Sequence, residues 1–146
     1  MRISLDGLSR KTERSVRAER NTTVFTLMKA DLNYLSDGAV DKYRIGGAAF
    51  ALNEAPPIGI STGPACSYSA ENVALHGALA HAVEVCSRED CTAKSVSFGT
   101  DSLSNLLVLE QGPARLHTLS DVLWPLIFAL LALDLEVRFY FLFFSL

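Results

Sequence analysis

The chain has 146 residues, of which 49% are hydrophobic and 20% charged, and its formal net charge is −3. Those figures suit one globular domain and exclude a disordered, collagenous or disulfide-scaffold chain. A chain of this length buries roughly two-thirds of its unfolded surface, so it needs neither disulfides nor a structural metal to fold.

The charge is uneven along the chain. Residues 1–20 carry six basic and three acidic side chains, a local net charge of +3. The remaining 126 residues hold seven basic and 13 acidic ones, a net charge of −6. A basic arm therefore precedes an acidic body, and such an arm reads either as a nucleic-acid contact or as a solvated tail. Cys66, Cys86 and Cys91 match no zinc spacing. Arg2 and Asp6 interrupt any apolar leader core, so an intracellular location, nuclear or cytoplasmic, is expected. Val122 to Leu133 is an uncharged run of 12 residues, short of the roughly 20 that a spanning helix needs, so no membrane association is expected.

Residues 1–30 show no sustained period and are assigned as an N-terminal extension. Asn33 to Val40 then reads as a strand, with Leu35, Asp37 and Ala39 on one face. Ile45 to Leu52 reads as a second, joined to the first by a hairpin at residues 41–44. Ile58 to Thr62 is a third, closed by Gly63-Pro64. Ala74, Leu75, Ala78, Leu79, Ala82, Val83 and Cys86 recur at helical spacing, with Ser69 as the expected N-cap. Ser95 to Thr100 returns to period two. Leu103, Leu106 and Leu107 mark a short helix that stops at Gly112-Pro113. A helix from about Ser120 to Leu133 contains Pro125, and Val137 to Ser145 reads as a buried aromatic strand. The order β-β-β-α-β-α-α-β predicts an antiparallel meander followed by two parallel strands, a mixed α/β sheet with helices on its faces.

Three carboxylates stand in awkward places. Asp37 lies inside a strand pattern, where aspartate is depleted. Glu71 shares a helix face with Ala74 and Leu75, where a buried carboxylate is costly unless paired, protonated or bound to a cation. Asp101 follows the fourth strand. Each has a plain structural reading: Asp37 starts a turn with Gly38, Glu71 favours the positive end of a helix dipole, and Asp101 caps the next helix. Together, at a strand centre, a helix start and a strand end, they can converge on one sheet edge and hold magnesium through oxygen.

This ordered set resembles the ribonuclease H domain. Ser36-Asp37-Gly38-Ala39-Val40 followed by Gly46-Gly47-Ala48-Ala49-Phe50 looks like that family's first hairpin. Ser67-Tyr68-Ser69-Ala70-Glu71 looks like its glutamate helix, and Thr100-Asp101-Ser102-Leu103-Ser104 like its second aspartate motif. The wording is similar to the ribonuclease H modules of trypanosomatid non-LTR retrotransposons. Transposases and integrases of the superfamily usually run Asp, Asp, Glu, whereas the order here is Asp, Glu, Asp. The resemblance spans about residues 31–146 and implies a five-stranded ribonuclease H-like sheet, three strands antiparallel and then two parallel. It further implies that Asp37, Glu71 and Asp101 hold two Mg²⁺ ions about 3.5–4 Å apart, with Mn²⁺ as a substitute. One ion activates water and the other stabilises the leaving 3′-oxygen of the RNA strand of an RNA–DNA hybrid. The hybrid is the implied partner, and a reverse transcriptase module a candidate neighbour.

The family also has a His-containing loop and a late helix that carries a fourth acid, and neither motif follows Ser145-Leu146. A C-terminally truncated domain, with its last helix missing, is therefore expected. His76, His81 and His117 do not stand in the missing histidine's place and read as surface or half-buried residues. Two other readings remain open at this stage: a non-catalytic remnant of such a domain, and an unrelated small α/β interaction domain.

Overall fold

The computed structural model describes residues 1–4, 29–53, 55–113 and 120–142. The basic arm beyond Ser4, His117, and the last residues of the expected final strand lie outside the described residues.

The sheet starts from a hairpin. Strands β2 (Leu32–Val40) and β3 (Ile45–Leu52) pair antiparallel, with Asp37 opposite Ala49. Asp41 makes the turn between them: its Oδ1 accepts from the Tyr43 N–H at 2.8 Å and the Ile45 N–H at 3.0 Å. Arg44 completes the turn with φ +61°. A carboxylate that bonds backbone two and four residues on stabilises such a turn locally. Strand β4 (Ile58–Pro64) adds antiparallel to β3.

Helix α1 (Ser67–Cys86) follows. Its N-cap is Cys66, in extended backbone, and not Ser69 as expected. Ser69 sits at the third helical position and its Oγ accepts the Cys66 N–H at 3.0 Å. The hydroxyl thus closes the helix start from inside, as in a capping box. Strand β5 (Ser95–Thr100), helix α2 (Leu103–Glu110), helix α3 (Trp124–Ala132) and strand β6 (Glu136–Phe141) complete the described chain. Pro125, placed by the sequence pattern inside a helix from Ser120, falls in the first turn of α3, where its missing N–H costs nothing. A short 3₁₀ turn, Ser120–Val122, precedes it.

With β1 at Arg2–Ser4, the described residues form an α/β structure with a six-stranded mixed sheet in the order β1-β6-β5-β2-β3-β4. Strand β5 runs parallel to β2, and β6 parallel to β5, as crossover connections through helices require. The count exceeds the expected five because Arg2–Ser4 form β1, parallel to β6 on the outer edge. Three residues of the stretch assigned as an extension thus belong to the sheet.

Tyr34, Phe98 and Phe139 pair across β2, β5 and β6, and their rings stack at 5.3 and 5.2 Å. They join Leu75 of α1, Leu106 of α2 and Ile127 of α3 in one core cluster, so the three helices among the described residues feed the same face. On β2 the buried residues are Tyr34 and Ser36, while Leu35 packs with Tyr140 and Leu142 in a separate small cluster. The Leu35–Asp37–Ala39 row therefore turns away from α1. Among the described residues no helix is long and apolar enough to cross a membrane.

Candidate functional site

The C-terminal ends of β2 and β5 lie side by side. Ser36 pairs with Thr100 across these parallel strands, so the next residues, Asp37 and Asp101, follow neighbouring positions. Adjacent strands are roughly 4.8 Å apart. The third acid arrives from α1. A Cβ added to Gly38 would run into the carbonyl carbon of Ala70 and the nitrogen of Glu71. Only glycine at 38 lets the start of α1 lie this closely on β2, directly beside the residue after Asp37. The backbone thus brings Asp37, Glu71 and Asp101 to one end of the sheet.

The plain readings of these acids fit the structure poorly. Asp37 is within β2, and the turn belongs to Asp41. Glu71 is the fifth residue of α1, past the first turn where a dipole effect is concentrated, and is buried at 5% exposure. Asp101 precedes the cap of α2, whose hydroxyl comes from Ser102 and accepts from the Asn105 N–H at 3.4 Å. Asp37 and Asp101 are half-buried.

No family model matches this chain, and no curated protein matches it.

A buried polar network adjoins the acids, and the sequence pattern did not single it out. Asn72 Nδ2 donates to Asn105 Oδ1 at 2.9 Å, and Asn105 Nδ2 donates to Ser102 Oγ at 2.7 Å. Asn105 Nδ2 also reaches the Tyr68 carbonyl at 3.4 Å, and the Ser102 N–H donates to Thr100 Oγ1 at 3.1 Å. The available signal was an asparagine in each apolar helix pattern, since a buried amide needs partners. Ser36, beside Asp37, is buried, and its Oγ has no hydrogen-bond partner among the described residues.

The donor set suits a hard divalent cation, because all three groups offer carboxylate oxygen. The grouping is looser than the donor chemistry. Among the described residues no three His, Cys, Asp or Glu side chains are gathered as a metal cage. The histidines stay apart from this chemistry: His76 is exposed, and half-buried His81 pairs through Nδ1 with Tyr34 Oη at 2.8 Å. Past Gly38 the same end of β2 opens into a shallow hollow lined by Val40, Arg44, Pro64, Ala65, Cys66 and Ser67.

Proposed function

We propose that this chain is a nuclease of ribonuclease H type, hydrolysing the RNA strand of RNA–DNA hybrids with divalent metal ions. The observation that carries the reading is the placement of Asp37, Glu71 and Asp101 at one end of the sheet, through the Ser36–Thr100 register and the Gly38 contact. The antiparallel β2–β3–β4 set followed by parallel β5 and β6 also supports it, with β1 added outside the five strands that the resemblance implies.

When bound, the ions supply Lewis acidity and a water of lowered pKa. The chain's own residues do the rest. In this reading Asp37, Glu71 and Asp101 would hold the ions through carboxylate oxygen, with Asp37 as the shared ligand. Arg44 in the adjoining hollow is placed to meet a backbone phosphate. Choice of RNA over DNA rests on contacts to the 2′-hydroxyl across the shallow minor groove.

The test is cleavage of an end-labelled RNA–DNA hybrid in Mg²⁺. The wild-type chain cuts the RNA strand, and Asp37→Asn lowers the rate by more than about 100-fold, beyond what second-sphere changes cost. Equal cleavage by both chains would reject the site. One observation favours a second reading, a domain of the same architecture without catalysis: the acids do not stand as a closed cage among the described residues. It predicts no cleavage by either chain.

A further inference from the structure

We propose that Asn72 and Asn105 form a positioning clamp that sets the spacing of Glu71 and Asp101; the proposal rests on the metal-dependent reading of that site.

Each end of the clamp is one residue from an acid. Asn72 follows Glu71 on α1, and Asn105 holds Ser102, which follows Asp101 after β5. The link between the two asparagines spans 33 positions of sequence and joins α1 to α2 directly. Both are almost fully buried, at 3% and 1% exposure. Asn105 uses its Oδ1 for Asn72 and its Nδ2 for Ser102 Oγ and the Tyr68 carbonyl. Ser102 in turn takes Thr100 Oγ1 through its N–H, which ties the chain to the end of β5. The path therefore runs from the residue after one acid to the residue after the other without a gap.

Apolar side chains of similar size would remove both partners of the Asn72–Asn105 bond at little cost, but would leave the Ser102 hydroxyl and the Tyr68 carbonyl without the Asn105 Nδ2 donor, so a modest loss of stability accompanies the exchange. What they would not supply is direction. Hydrogen bonds fix distance and angle, and groups that orient metal ligands typically matter 10–100-fold for affinity. The two asparagines are thus positioning residues: they touch neither ion nor substrate and act through the backbone of the acids.

The experiment compares the full wild-type chain with Asn72→Leu/Asn105→Leu, using Mn²⁺ as the probe in calorimetric titration alongside thermal unfolding. The clamp predicts a double variant that still unfolds cooperatively, with a lowered midpoint, and Mn²⁺ affinity weakened about 10–100-fold. A folded double variant with wild-type Mn²⁺ affinity would overturn the clamp alone. No Mn²⁺ binding by the wild type would overturn the metal-dependent reading and the clamp with it. If the double variant fails to fold, the wild type decides: the side-chain amide resonances of Asn72 and Asn105 should shift during Mg²⁺ titration with the midpoint shown by the Glu71 and Asp101 backbone. Unmoved amide resonances would overturn the clamp.

Discussion

Gly38→Ala probes the contact that brings α1 to β2. The new Cβ would meet Ala70 O at 2.6 Å and collide outright with the peptide carbon and nitrogen between Ala70 and Glu71. Ordinary contact begins at 3.4 Å, so the helix must retreat by at least about 0.8 Å. Backbone atoms cannot rotate out of the way as a side-chain tip can, and overpacking of this kind costs about 1–3 kcal/mol. Gly59→Ala on β4 is the control, because nothing lies within 4 Å of its added Cβ. Replacing glycine in a strand gains roughly 0.5–1 kcal/mol at either site, so that term cancels in the comparison. Urea unfolding followed by circular dichroism reads the difference. With a slope of about 2 kcal/mol/M, Gly38→Ala should unfold roughly 0.5–1.5 M earlier than Gly59→Ala. Equal midpoints would refute the close approach of α1 to β2, and with it the placement of the Glu71 backbone against Gly38.

Two further predictions concern titrating groups. The Lys94 N–H donates to Asp31 Oδ2 at 2.8 Å and holds that carboxyl below its ordinary 3.8. A depressed folded value stabilises the fold above pH 3.8 and loses that contribution as pH falls further. Thermal midpoints of wild type and Asp31→Asn should therefore differ by a constant amount from pH 7 to about 4 and converge below it; a gap that widens in acid would contradict this. The cysteines differ in reactivity. A hydrogen bond from Ser69 pulls the exposed Cys66 thiol down, while burial, helped by Cys91, pushes Cys86 up to about 11. At pH 8 the Cys86 thiolate is about 100-fold scarcer than that of an ordinary cysteine, and its greater nucleophilicity returns roughly tenfold. Timed iodoacetamide labelling should thus modify Cys66 at least about tenfold faster than Cys86, and equal rates would contradict the burial of Cys86.

Much of the fold was legible because it is written in local period. Val96 and Phe98 alternate as a half-buried strand does, and Ala74, Leu75, Ala78 and Leu79 repeat as a helix does. Strand β1 was not legible: its three residues are held by pairing with β6, more than 130 positions away. The same holds for the buried face of β2. Leu35, Asp37 and Ala39 share one face by period, but which face of β2 is buried is decided by the position of α1, and Tyr34 and Ser36 are the buried ones. Ser69 suggested a cap by identity alone, whereas the backbone turns at Cys66. At the site, the three acids stood out because carboxylates in apolar patterns need a reason. The asparagines did not, because their burial follows from tertiary contact between α1 and α2.

Hydrolysis of the RNA strand of a hybrid at Asp37, Glu71 and Asp101, as proposed, would be recorded in the chemistry of the product ends. A metal-activated water that displaces the 3′-oxygen leaves a 5′-phosphate on one fragment and a 3′-hydroxyl on the other. Mass analysis of an RNA–DNA hybrid incubated with the full chain and Mg²⁺ should show those ends on the RNA, an intact DNA strand, and no products with Asp37→Asn. An uncut hybrid, 2′,3′-cyclic phosphate ends, or cleavage that persists in Asp37→Asn would contradict it.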